Sequence, residues 1–281
     1  MIRFGPSGNC QAFYEAGFKE SSQAPEWLKN MGLTAYEYSF ALGKFLTDST
    51  ATKICEQAKK YDIEVSVHAP YYINFANITE NAIENNYRFL LASAEGAKKL
   101  GGRHCVFHIG SQMKMERKEA FENIKTIFTQ FMREYEKNSN DVFLCPETMG
   151  KYTQMGTVDE IFEICTWSDL LIPTLDFGHI NCVMQGALRT KDNFKAILQK
   201  GINTIGFEKM KDCHIHFSKI MYGAKGETKH LTFADDEYGP EPLPMIQAIY
   251  DLKLEPVIIS ESNGTQAGDA KIMRDLYFGL K

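Results

Sequence analysis

Asp176 and His179 stand three residues apart at the end of a short apolar run, Leu171 to Leu175, in the stretch LIPTLDFGHINC. A run of that length, with a proline and turn residues about it, predicts a buried strand. The carboxylate then falls at the strand's carboxyl end and the imidazole on the loop beyond. Such groups are costly to desolvate unless something pairs with them, and a divalent metal ion is the strongest partner available. Other apolar runs end the same way. His68 closes Ile63 to Val67, His108 closes His104 to Phe107, and Glu147 follows Val142 to Cys145. His214 and His216 lie in Asp212 to Phe217, Glu261 follows Pro256 to Ser260, and His230 sits on a long loop. Of seven histidines only His104 begins its strand, and it reads as structural. Mixed imidazole and carboxylate donors suit zinc or manganese and not calcium, which takes oxygen alone.

These groups converge only if the strands that carry them share one end. Two further runs, Ile2 to Phe4 and Thr34 to Phe40, bring the strands to eight. Between them lie helical patterns: APEWLKNMG, Ser49 to Lys60, Glu80 to Leu100, Met115 to Lys137, a segment around Phe194 to Leu198, and Ala270 to Leu280. Thr157 and Glu160 have the spacing of a capping box for a helix running to Cys165. Strands alternating with helices imply a parallel sheet, and eight such units imply an α/β fold of the closed (β/α)8 kind. No linker or low-complexity tract interrupts the chain, so a single domain over residues 1–281 is expected. In a barrel the carboxyl ends of all strands surround one mouth. The segment from Lys219 to Pro244 shows no clear helix, and loops of that length in compact domains are usually functional.

Composition narrows the classes. Hydrophobic residues make up 44% of the 281 and charged residues 24%, as in globular domains with a sizeable core. A net charge of −5 speaks against a broad basic nucleic-acid surface, although bound divalent ions would reverse the sign locally. No apolar run is long enough for a membrane span, and the start MIRFGPSGN lacks the pattern of a secretory signal. The seven cysteines form no CxxC pair, and three fall inside predicted strands. Buried reduced thiols and a cytoplasmic location are therefore expected. Nothing reads as a platform for an obligate protein partner.

The stretches VHAPYYIN, VFHIGS, PET, LDFGHINC, CHIHFSK, KHLTF and ISES resemble, in order, those of the endonuclease IV family of apurinic/apyrimidinic endonucleases. That family consists of (β/α)8 barrels with three zinc ions, acting on double-stranded DNA with abasic sites. The resemblance implies that Glu147 bridges two ions, with His68 and His108 completing one. It assigns Asp176, His214 and Glu261 to the second ion, and His179 and His230 to the third. It also implies cleavage 5′ to the lesion, with Glu147 and Glu261 central to the chemistry. Tyr71 and Tyr72 become candidates for substrate binding, and Lys219, Lys225 and Lys229 for phosphate contacts. His216, on the same strand face as His214, is a candidate for substrate binding through nucleic acid, for a metal ligand, or for a partner that orients one. The chain departs from the family at three places. Thr228 stands where an Asp is usual two residues before the last His, with Glu227 beside it as a substitute. FGPSGN replaces an N-terminal His-Val-Ser, and the recognition loop after strand two reads ALGKF.

The chain also resembles the xylose-isomerase-like sugar isomerases and epimerases, which hold one manganese ion by Glu, Asp, His and Glu. Glu147, Asp176, His214 and Glu261 would fill those positions, with the two glutamates as acid and base. That reading leaves His68, His108, His179 and His230 without a task, and the surplus places the nuclease first.

Overall fold

Eight short parallel strands, each followed by helix, make up the computed structural model, which describes residues 1–40, 45–137 and 141–280. In chain order they are β1 (Arg3–Pro6), β2 (Ala35–Ser39), β3 (Glu64–His68), β4 (His104–Phe107), β5 (Phe143–Pro146), β6 (Thr174–Asp176), β7 (His214–Phe217) and β8 (Val257–Ser260). Ladders join β1 to β8, β8 to β7 and β7 to β6, and a second set joins β2, β3, β4 and β5. Single bridges, Ser7 to Glu37 and Glu147 to Thr174, connect the two sets and close the barrel. The eight strands expected from the apolar runs are thus the eight observed, and the helices fall within a few residues of the predicted ones.

Alternation along each strand divides the interior. Phe4, Tyr36, Val65, Val67, Phe107, Leu144, Leu175, Ile215 and Phe217 pack outward in one large core with helix residues such as Leu90, Ile124, Phe128 and Phe194. The alternate positions point inside. There the apolar filling is sparse: Val106, Cys145 and Ile172 form one cluster, and Ala35, Val257 and Ile259 another. Around them lie Glu37, Ser66, His104, Thr174, His214 and His216, all buried. Barrels of this kind are normally filled by bulky branched residues. So polar an interior carries a desolvation cost that packing alone does not explain.

Local signals explain the helix starts. Thr157 accepts a hydrogen bond from the backbone N–H of Glu160, and Glu160 accepts one from that of Thr157, as the capping box requires. Two elements differ from expectation. The sixth strand begins at Thr174 because Pro173 has no N–H to place in a ladder, and Leu171 makes only one bridge to Leu144. The segment after β7, expected as a loop, contains an antiparallel hairpin, Ile220–Gly223 with Gly226–His230, and then a helix from Pro242. All seven cysteines are free, and all but Cys55 are buried. Among the described residues no helix is long and apolar enough to cross a membrane. Most of the ALGKF stretch, residues 41–44, lies outside the described residues.

Candidate metal centre

Glu147 is the hub of the barrel mouth. It follows β5, is almost fully buried, and faces four imidazoles. His68 Nε2 lies 3.2 Å and His108 Nε2 3.0 Å from its Oε2, while His216 Nδ1 lies 3.1 Å and His179 Nδ1 3.5 Å from its Oε1. Glu261 Oε2 is 3.6 Å from His216 Nδ1. Three sets of donors result at the mouth, each with its atoms within 4.8 Å of one another: His68, His108 and Glu147; Glu147, Asp176, His216 and Glu261; and His179, Glu227 and His230. Glu147 belongs to two of them. They surround a cavity of about 370 Å³ that also reaches Ser7, Tyr71, Lys151 and Gln154.

The Asp-x-x-His spacing has a local cause. Asp176 is the N-cap of the short helix Phe177–Val183, and its Oδ1 accepts the backbone N–H of His179 at 2.7 Å. The capping geometry of an N-cap and its third helical residue turns the His179 ring to the same side as the carboxylate. His179 therefore lies in that helix and not on a loop. Asp176 Oδ2 stays fully buried with no hydrogen-bond partner among the described residues.

Most of the rings are anchored by one nitrogen and aim the other at the mouth. His68 Nδ1 donates to the carbonyl of Ala69 at 2.8 Å, and His179 Nδ1 to that of Thr148 at 3.0 Å. His230 Nδ1 lies 2.9 Å from the Ser218 hydroxyl, and His216 Nε2 faces Glu37. Such outer partners fix the tautomer and the ring direction of a metal ligand. The electrostatics agree. Burial opposes charge on Glu147, yet His216, His108 and His179 hold its carboxyl well below the usual carboxylate range. Burial raises the carboxyl of Asp176, His179 offsets part of this, and Glu147 and Glu261 add to the rise. Burial also opposes charge on His68 and His179, but the facing carboxylates bring them up to about 9 and about 10. Four carboxylates at one mouth thus create a demand for positive charge. Protons on the rings meet it when nothing else does. Asp176 Oδ2, buried without a hydrogen bond and 3.4 Å from His179 Nδ1, and the mixed imidazole–carboxylate donors fit divalent transition ions, zinc or manganese among them.

One expected member of these sets stands elsewhere. His214, expected beside Asp176 and Glu261, lies one layer deeper, where its Nε2 donates to Glu37 at 3.0 Å. His216 takes the place, because strand register levels it with Asp176 and leaves His214 level with Thr174. His216, expected as a substrate contact, is fully buried among the carboxylates. Tyr71 lines the cavity, but Tyr72 does not and packs edge-on against Phe89. Lys219 is buried in an ion pair with Glu241 at 2.6 Å and is closed to phosphate, whereas Lys225 and Lys229 are exposed.

Glu227 reaches the third set through a β-bulge. In the hairpin Met221 pairs with Lys229 and Tyr222 with Glu227, so Thr228 is the extra residue, with no residue paired opposite it in the ladder. On a regular strand only residues two apart share a face; one extra residue brings Glu227 and His230, three apart, to the same side. Glu227 lies 3.5 Å from His179 and 3.8 Å from His230, while the Thr228 hydroxyl donates to Met221 O within the hairpin. Gly150 and Gly226 allow the approach. A Cβ on Gly226 would meet the Gly150 carbonyl oxygen at 2.1 Å, and one on Gly150 would meet Glu227 and His179 at 2.8 Å. The Glu227 N–H donates to Gly150 O at 2.8 Å, seating the hairpin.

Sequence reasoning passed over Glu37, Lys151 and Gln154. For Glu37 the one signal was its place at an inward position of the aromatic strand TAYEYSF.

A closed parallel barrel whose mouth gathers imidazoles and carboxylates defines a class, and the chain belongs to the xylose isomerase-like TIM barrel family, whose model matches residues 25–264. It is 31% identical over 93% of its length to an uncharacterized protein of Methanocaldococcus jannaschii, covering 92% of that protein. It is 30% identical over 65% of its length to a probable endonuclease 4 of Staphylococcus epidermidis, covering 62% of that protein. Among solved structures, a D-tagatose 3-epimerase-like protein superposes with a TM-score of 0.73 at 19% identity, over 99% of this chain and 98% of the other. Endonuclease IV from Thermus thermophilus superposes with a TM-score of 0.72 at 18% identity, over 99% of each. At such identities these structural likenesses establish the fold alone.

Proposed function

We propose that the chain is a zinc-dependent phosphodiesterase that cleaves DNA 5′ to abasic sites. The observation that carries this reading is the number and sharing of the donor sets. Three sets line the mouth, two of them joined through Glu147, where a single-ion enzyme needs only one. The match to a probable endonuclease 4 supports it. Bound ions would supply water activation near neutral pH and neutralise charge on the phosphate. The chain's own residues do the rest. Glu147 fixes the separation of the two neighbouring sets, and Glu261 closes the central one. Tyr71 presents its ring at the cavity wall to an extruded sugar, which costs least to flip where the base is already lost. Lys151 at the mouth and Lys225 and Lys229 on the hairpin offer positive charge to backbone phosphates, which position DNA without reading its sequence.

The test is incision of a duplex containing one synthetic abasic site by zinc-loaded and chelator-treated protein. Cleavage leaving a 3′-hydroxyl, lost on chelation and restored by zinc, is expected. Intact duplex under all conditions would overturn the reading.

One observation favours a second reading. Glu147, Asp176, His216 and Glu261 form a self-sufficient set for one manganese ion, with two glutamates placed as acid and base for epimerisation next to a carbonyl. The fold likeness to an epimerase-like protein accompanies it. Turnover of a ketohexose without incision would decide for it, and His108→Ala separates the two: it should abolish incision and leave epimerisation nearly untouched.

A further inference from the structure

Glu37 lies below the mouth on β2, fully sealed from solvent, and belongs to none of the three sets described above. Its Oε2 accepts hydrogen bonds from the Ser66 hydroxyl at 3.0 Å, from His214 Nε2 at 3.0 Å and from His216 Nε2 at 3.3 Å. Its Oε1 is 3.1 Å from the same His216 nitrogen and has no other partner among the described residues. An isolated buried carboxylate is expensive, and a hydrocarbon side chain would fill the barrel at less cost. An ionised carboxylate can only accept, so the His216 nitrogen facing it must carry the hydrogen. His216 Nδ1 faces Glu147 in the same way at 3.1 Å, so without an ion both nitrogens carry hydrogen. An ion among Glu147, Asp176 and Glu261 would displace the one on Nδ1, while Glu37 keeps the one on Nε2.

The layer beneath is consistent with the same direction. His214 spends its Nε2 hydrogen on Glu37, so its Nδ1 accepts, and His104 Nδ1, 3.3 Å away, must be the donor. The far nitrogen, His104 Nε2, has no hydrogen-bond partner among the described residues and lies 4.0 Å from Asp212 Oδ2. The Nε2 hydrogens of His214 and His216 thus both point at Glu37.

We propose that Glu37 is the positioning residue of the central metal site: by holding His216 through Nε2 it presents Nδ1 as a ligand and sets the affinity of the ion shared with Glu147, Asp176 and Glu261. The proposal rests on reading that set as a metal site, and it is independent of whether the reaction is hydrolysis or epimerisation. Outer carboxylates of this kind typically contribute about 10- to 100-fold in metal affinity.

The test is titration of the metal-free full chain with Co2+ and, by competition with a chromophoric chelator, with Zn2+. Wild type is compared with Glu37→Gln, His216→Gln and the double variant, and the melting temperature of each metal-free protein is recorded. Glu37→Gln should weaken one ion about 10- to 100-fold and leave the binding of the others unchanged. In the double variant it should add nothing to His216→Gln, since the two act through one ring. Unchanged binding of every ion in a folded Glu37→Gln protein would overturn the proposal. So would equal weakening of all ions together with a collapsed melting temperature, which marks a general packing role. If Glu37→Gln does not fold, Ser66→Ala removes one hydrogen bond to the same carboxylate at little change in volume. It should weaken the same ion several-fold, and wild-type binding there would overturn the proposal. If His216→Gln retains every ion, the central set is no metal site, and the proposal falls with that reading.

Discussion

His214 and His216 sit two residues apart on β7, point into the same barrel and both lie within about 3 Å of Glu37. Neither is exposed at all. Yet their proton affinities go opposite ways. Burial opposes charge on both rings. For His216 the charges of Glu261, Glu37 and Glu147 overcome it and push the pKa well above the ordinary histidine range. For His214 burial wins, with Glu37 only partly offsetting it and the His216 charge adding to the fall. His104 below is lower still, by burial and by His214 and Arg103. The difference lies in the surroundings and not in the residue type. The mouth carries an excess of carboxylates that any cation can settle. The floor is balanced, with one carboxylate held by hydrogen-bond donors. Glu37, His214 and His216 also lie within 4.8 Å of one another, as a metal set would, but there hydrogen bonds already satisfy the carboxylate, whereas at the mouth negative charge exceeds what hydrogen bonds can satisfy.

The largest effect expected from this contrast is at the hub. Glu147→Gln removes a ligand shared by two sets, and incision should fall by about 10³-fold or more, beyond the usual loss for a single oriented group. Steady-state incision rates check it. Next comes the direct comparison on β7. His216→Gln should cost one bound ion about 100-fold in affinity. His214→Gln should keep the ion count and instead destabilise the fold by about 1–3 kcal/mol, because Glu37 and His104 lose a partner in a sealed layer. Metal analysis and denaturant titration of the pair would show the crossover; loss of an ion in both variants would break the distinction between layers.

A pH series sharpens it further. In the metal-free chain His68 and His179, at about 9 and about 10, stand above the unfolded value of about 6.5. Raised histidine values contribute stability that is fully present below about pH 6.5 and is lost as the pH rises through about 9 and 10. The melting temperature of metal-free protein should therefore fall between about pH 6.5 and 10, while metal-loaded protein, whose rings are already deprotonated, stays flatter. By the same linkage metal affinity should rise over that interval, since the ion must displace those protons. The smallest effect concerns the hairpin. Gly150→Ala should push Glu227 from His179 and weaken one ion about 10-fold, with the other two unmoved, as a stepwise Zn2+ titration would show.

How far this was legible in the sequence follows from how local each signal is. The eight strands show themselves as apolar runs ended by polar residues, and the Asp176–His179 pair follows from capping within four residues. The level of His214 against His216 is not local. Both share a strand face in any reading, and only the ladder pairing Asp176 with His216 says which one reaches the mouth. Glu37 carries only a weak local mark, its inward position in TAYEYSF, since its meaning comes from β7 across the barrel. The bulge at Thr228 is equally hidden: the sequence shows an acid displaced by one residue, and only the hairpin register shows the extra residue that turns Glu227 back. Lys219, by contrast, looked available in sequence and is buried against Glu241 and the Asp235 carbonyl, partners later in the same segment.

Metal content per folded chain, measured by elemental analysis on protein purified without chelators and reloaded with zinc, tests the central claim most directly. Three tightly held divalent ions per chain are expected, falling to two in His216→Gln. A wild-type chain that binds none, or holds one ion that survives His216→Gln, would contradict the account.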